Sequence, residues 1–217
     1  TNGHDKYISI NGNLKTDIGN ILVKLSKNVN DIYANIDTDN INLGKLFPNK
    51  HLGQISSKIT VKCNNISKTN KNIYIDGIFP IFEYNNYQYK NILVKGLYDK
   101  NIFDGLFKLD DPNGQINIEG RLSTDISKET SIIASVRNLN LSKLNITNKW
   151  KDTKFNFDIN SNITYNHQNI NPFNGNLAIK DFTMVSPSDL YTIKTISLNA
   201  CKDSMSLQSD FGNIAIN

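Results

Sequence analysis

The sequence predicts an all-β protein, an antiparallel meander of strands joined by short turns and laid down as two tandem copies of one unit. Three observations predict it. Apolar residues recur at every second position, the mark of strands with one apolar and one wet face. Turn residues separate these runs. Blocks of sequence recur in the same order in both halves.

Composition agrees with that class. Only 38% of the 217 residues are hydrophobic, mean hydropathy is -0.41, and Ile leads the apolar set with Leu, Phe and Tyr behind it, a mixture that favours strands. About one residue in six is Asn and Lys far outnumbers Arg, as an AT-rich genome writes its polar positions. These Asn residues are interleaved with Ile and Leu, so they read as codon bias and not as a prion-like tract.

The first unit covers residues 1–113. Its opening run, Ile8-Ser9-Ile10-Asn11-Gly12-Asn13-Leu14, sets Ile8, Ile10 and Leu14 on one face. Alternation from Ile55 to Cys63 does the same for Ile59 and Val61, and Ile73-Tyr74-Ile75 continues it. After an Asn85-Asn86 turn, Lys90–Gly96 presents Ile92 and Val94; after Asp99-Lys100-Asn101, the run to Leu109 presents Phe103 and Phe107. Asp111-Pro112-Asn113-Gly114 then reads as a tight hairpin turn, with Pro presetting φ and Gly taking φ > 0.

The second unit, residues 114–211, starts with Ile116, Ile118 and Leu122 on one face. From Phe155 to Tyr165 every odd position is apolar or small, which aligns Phe155, Phe157 and Ile159. Turns at Asn171-Pro172 and Asn174-Gly175 precede Leu177 and Ile179, and a further strand carries Ile196 and Leu198. Alternation lapses only at Leu43 to Leu52 and Leu141 to Trp150, where a turn of helix or a folded loop is expected.

The tandem reading rests on matched blocks. Ile8-Ser9-Ile10-Asn11-Gly12-Asn13-Leu14-Lys15-Thr16-Asp17 shares six residues at the same spacing with Ile116-Asn117-Ile118-Glu119-Gly120-Arg121-Leu122-Ser123-Thr124-Asp125. Asn40-Ile41-Asn42-Leu43-Gly44-Lys45-Leu46 matches Asn138-Leu139-Asn140-Leu141-Ser142-Lys143-Leu144. Lys90–Gly96 pairs more loosely with Lys194–Ala200, and Phe107–Asp111 with Met205–Asp210. Residues 212–217 then read as the start of a third copy, which makes the chain a segment of a longer array.

A meander of open-ended strand number must stack as a solenoid or curl into a trough with its apolar faces inward. An apolar lining exposed to water is unfavourable by roughly 25 cal/mol per Å². Acyl chains would relieve it; so would the two walls packing on each other as an ordinary closed sandwich. The residues alone leave both open.

Chemistry of other kinds is poorly supplied. The net charge of +4 comes from Lys dispersed among Asp and Glu, with no block to track a phosphate backbone, so nucleic-acid binding is not expected. No run is long and apolar enough for a membrane span. His4, His51 and His167 stand in polar, turn-like surroundings without ligand spacing, so no metal and no cofactor are expected. The recurring Asp17, Asp125, Asp110, Asp111 and Asp210 read as turn caps, and Trp150, Tyr84, Tyr87 and Tyr89 as sheet packing in preference to a sugar platform. There is no phosphate loop and no nucleophile elbow, so an enzyme is not expected. Cys63 falls on the inner face and Cys201 out of phase with Ile196, Leu198 and Ala200, so two free thiols are expected over a disulfide.

Three runs carry a resemblance: Tyr89 to Tyr98, Phe103 to Gly120, and Val136-Arg137-Asn138-Leu139-Asn140-Leu141. Together they resemble the repetitive β region of the translocation and assembly module TamB, within the AsmA-like superfamily. The resemblance implies a β-taco groove within an inner-membrane-anchored protein that crosses the periplasm of a Gram-negative bacterium. It implies transfer of phospholipid along the groove towards the outer membrane, or help in outer-membrane protein assembly with a barrel partner that docks outside this chain. The competing expectation is a secreted or surface β-sandwich for adhesion or glycan binding. Exposed edge strands also invite pairing with another copy.

Overall fold

The structure, a computed structural model, describes residues 7–64, 72–123, 129–165, 173–201 and 204–216. The expectations placed on His4, Asp125, His167 and the Asn171-Pro172 turn lie outside the described residues, as does the side chain of Tyr165.

Fourteen strands form one open antiparallel sheet in chain order. They are β1 (Ile8–Thr16), β2 (Gly19–Lys27), β3 (Ile32–Asn42), β4 (Leu52–Asn64), β5 (Asn72–Tyr84), β6 (Tyr87–Asp99), β7 (Ile102–Asp111), β8 (Gly114–Ser123), β9 (Thr130–Leu139), β10 (Lys154–Tyr165), β11 (Phe173–Val185), β12 (Leu190–Cys201), β13 (Ser204–Ser209) and β14 (Gly212–Ile216). The all-β meander read from the alternation is therefore the observed topology. Contacts divide the chain into two compact units, Thr1–Lys100 with Phe107–Asp111, and Asn101–Leu106 with Pro112–Asn217.

In the first unit, residues directly opposite one another share a face. One row runs Ile10, Leu25, Ala34, Val61, Ile75 and Gly96 across β1 to β6; the next runs Gly12, Val23, Ile36, Ile59, Gly77 and Val94. The turn between β5 and β6 has Asn85 at φ 52° and Asn86 at φ 60°, the doubly left-handed conformation whose twist suits a two-residue hairpin.

In the second unit, Ile118, Ala134, Ile159, Ile179, Ile196 and Ser209 form one row across β8 to β13, and Gly120, Ile132, Ser161, Leu177, Leu198 and Leu207 the next.

Bulges interrupt this regularity in both units, and each inverts the parity of its strand. In β3 the register shifts between Thr38 and Ile41, with Asn40 at φ 51°, so Ile41 joins the face of Ile36 and Thr38 although it differs from them in parity. In β9 the same happens at Asn138, also at φ 51°, which returns Leu139 to the face of Val136. Asn tolerates the left-handed region better than other residues with a Cβ. The bulge amides are satisfied from the next strand: Asn40 N–H donates to Ser56 Oγ at 3.0 Å, and Asn138 N–H to Asn156 Oδ1 at 2.7 Å. Two residues further on, Asn42 Oδ1 accepts from Lys45 N–H at 3.1 Å and Asn140 Oδ1 from Lys143 N–H at 3.0 Å.

As expected where alternation lapses, Leu43 to Leu52 holds a single helical turn, α1 (Leu43–Leu46), capped by Asn42, before β4 opens at Leu52, and Leu141 to Trp150 holds turns and bends. Two local expectations are corrected. Among the described residues the positive-φ glycines are Gly19, Gly175 and Gly212, and Gly114 is not one of them. Its glycine answers to packing instead: a Cβ there would stand 2.8 Å from Leu139 Cδ1 and 3.2 Å from Leu139 Cα. Asp111 does more than cap a turn. Buried at 4% exposure, its carboxylate accepts from Tyr87 O–H and, at 3.1 Å, from the Lys90 backbone N–H.

Candidate functional site

The candidate site is a surface, the apolar face of each unit. In the first unit the pairing places Ile8, Ile10, Leu14, Ile59, Val61, Ile92 and Val94 on one face. Phe103 and Phe107 share one face of β7 with Leu109 and Asp111, and the hydrogen bond from Tyr87 ties Asp111 to the face of Tyr87 and Tyr89. In the second unit Ile116, Ile118, Phe157 and Ile159 lie on one face with Leu177, Ile179, Ile196 and Leu198; Phe155 lies there beside Leu139, and Leu122 alternates with Gly120.

Few side chains of that face are deeply buried. Among the described residues, the buried hydrophobic side chains of the first unit are Ala34, Ile41 and Leu109, and those of the second are Ala134, Val136, Leu139 and Leu144. Ile59, Val61, Ile159, Leu177 and Ile196 are half-buried. Towards β1 the exposure rises, to 52% at Ile10 and 57% at Leu14.

Aromatic contacts run along the face. Tyr87 meets Tyr89 of the same strand edge-on at 4.8 Å, Phe157 of β10 stacks on Phe182 of β11 at 6.2 Å, and Trp150, in the loop before β10, stands edge-on to Phe155 at 5.7 Å. Tyr84 rests on His51 at 6.0 Å. Of the four residues weighed as a sugar platform, Trp150 and Tyr84 are exposed and Tyr87 and Tyr89 half-buried. Burial, then the negative charge of Asp111, then Tyr84, raise the pKa of Tyr89 above the ordinary phenol value.

The second unit's face holds a dip of about 210 Å³ between Ile163, Gly175, Leu177, Leu198, Ala200 and Met205, where the small Gly175 and Ala200 lie opposite one another. The first unit has a larger hollow, about 400 Å³, but it lies on the opposite, polar face, among Lys24, Asp37, Lys58 and Asp76. Cys63 sits in the apolar face between Ile32 and Ile73, and Cys201 is exposed; both are free thiols. Among the described residues no group of three His, Cys, Asp or Glu side chains could hold a metal, and no helix is long and apolar enough to cross a membrane, which says nothing about strands.

Sequence reasoning missed part of the face. Ile21, Val23 and Leu25 of β2 belong to it, as do Ile32 and Ile36 of β3 and Ile132 of β9. In Ile21-Leu22-Val23 and Ile132-Ile133 the neighbour on the other face is also apolar, so alternation is hidden. Phe82, Tyr89, Phe182 and Met184 escaped because bulges put them out of phase with the first half of their own strands.

Comparison with known protein families, with curated proteins and with solved structures finds no match for this chain in any of the three.

Proposed function

We propose that this chain is a lipid-bearing segment of a TamB-like or AsmA-like envelope protein, in which the apolar sheet face forms the inside of a groove for phospholipid acyl chains. The observation that supports the reading is the register of that face: among the described residues, row after row of Ile, Leu, Val and Phe side chains lies opposite its like across adjacent strands, and few of them are buried outright. Water against such a surface is unfavourable at roughly 25 cal/mol per Å², and acyl chains are the ligand that removes it without needing a specific polar contact.

In this reading the chain comprises two copies of one unit, residues 1–113 and 114–211, with a third from Gly212. The shared construction around Asn40 and Asn138 supports it, down to the side-chain acceptor for the bulge amide and the Asn cap two residues on. The setting is the periplasm, with an outer-membrane barrel as partner, and the transfer is non-enzymatic.

Photo-crosslinking tests it. A photoreactive residue at Ile118 or Phe157, with Glu119 as the polar-face control, should capture phospholipid from the apolar positions only. Capture at none of them, or equal capture at Glu119, removes the lipid reading.

A further inference from the structure

The hollow of about 400 Å³ on the polar face of the first unit adjoins another of about 490 Å³. Leu22, Asp37 and Lys58 line both, so the two form one furrow that crosses β2, β3, β4 and β5. With strands about 4.8 Å apart, those four span about 14 Å.

Some of the groups that line the furrow are already held in place. Asn35 Nδ2 donates to the Tyr33 hydroxyl at 3.0 Å, and Asn35 Oδ1 accepts from Thr60 O–H at 2.8 Å. Asp76 accepts from Lys95 Nζ at 3.0 Å. Others are uncommitted. Among the described residues Lys24, Asp37 and Lys58 make no ion pair and no side-chain hydrogen bond, although Asp37 stands directly opposite Lys58.

The chemistry of the lining selects a class of ligand. Charge balances along it: Asp76 is met by Lys95, and Lys24 and Lys58 are matched by Asp37 and Asp39. A bound ion would gain from one of these groups what it loses to the next, because unlike charges alternate from strand to strand. A neutral ligand rich in hydroxyl groups meets no such opposition. Each O–H donates to a carboxylate or accepts from an ammonium, and hydrogen bonds with one charged partner are the stronger kind. Leu22, Ile78, Pro80 and Ile81 add apolar ground on which the C–H face of a sugar ring can lie.

We propose that this furrow is a binding site for a neutral oligosaccharide, held by Asp37 and Lys58 where the two hollows meet. The site lies on the face opposite the apolar one and does not depend on what that face carries.

Asp37 and Lys58 are exposed and otherwise unengaged, so replacing either leaves the sheet intact, which circular dichroism checks. The labelled 217-residue chain, applied to an array of neutral and acidic glycans, should bind neutral oligosaccharides. The glycan bound best is then titrated calorimetrically against the parent, Asp37→Ala, Lys58→Ala and, as a control on the polar face of the second unit, Glu119→Ala. Losing one charged hydrogen-bonding partner should weaken binding about tenfold or more in the first two variants, and Glu119→Ala should match the parent. An array on which no neutral glycan is bound overturns the proposal. So does binding confined to acidic glycans, or an affinity unchanged in Asp37→Ala and Lys58→Ala.

Discussion

Replacing Asp111 with Ala removes a buried carboxylate from the first unit's apolar face and takes an acceptor from two donors, the Tyr87 hydroxyl and the Lys90 backbone N–H. Hydrogen bonds to a charged acceptor contribute roughly 1.5–3 kcal/mol each, and a buried donor left without a partner is unfavourable by about 1–3 kcal/mol. The two contacts share one acceptor and are not additive, so the expected loss is about 3 kcal/mol. With a urea slope of roughly 1–3 kcal/mol per molar, the midpoint of unfolding should fall by about 1–3 M. Tyr87→Phe, which removes one of the two contacts, should show about half that loss. Native-state hydrogen exchange gives the local readout: in Asp111→Ala the Lys90 amide should lose protection before the amides of β2. An Asp111→Ala midpoint within about 0.3 M of the parent, or a loss no greater than that of Tyr87→Phe, would refute the reasoning.

Two further outcomes follow from the same physics. Asn138→Ala forces a Cβ-bearing residue without a local polar side chain to hold φ 51° and should destabilise the second unit by about 1 kcal/mol, whereas Asn138→Gly should be close to neutral; Trp150 fluorescence during urea unfolding reads both. The raised pKa of Tyr89 means that the folded state keeps its phenol proton longer than the unfolded chain does. Its stability is therefore complete below the ordinary phenol pKa and is lost as pH rises through the folded value, so thermal midpoints should fall above about pH 10, and Tyr89→Phe should flatten that part of the curve.

The meander and the membership of its apolar face were legible because period two is a local signal. Phe155, Phe157 and Ile159 declare their common face within five residues, and no knowledge of β9 or β11 is needed to see it. The parts that stayed hidden depend on neighbours in space. Nothing around Gly114 announces that Leu139, twenty-five positions away, presses on its Cα. Asp111 looks like a turn residue because Pro112 and Gly114 follow it, yet its carboxylate turns back to an amide twenty-one positions earlier. The bulges were the largest concealment. Extrapolating the alternation of Thr130 to Val136 across Asn138 assigns Leu139 to the wet face, when it is among the most buried residues of its unit.

Those bulges also give the Asn-rich composition a meaning beyond codon usage. Among the described residues, seven of the eleven non-glycine residues at positive φ are Asn: Asn40, Asn91 and Asn138 within strands, and Asn85, Asn86, Asn101 and Asn145 in turns. A coding bias that scatters Asn along most of the strands scatters with it residues able to enter the left-handed region. Each is a place where one extra amino acid can be absorbed without carrying the remainder of the strand to the wrong face. In such a chain a single-codon insertion need not be a catastrophe of phase. Strands of this kind can drift in length while their hydrophobic side chains stay in line, provided an Asn stands near the point of insertion.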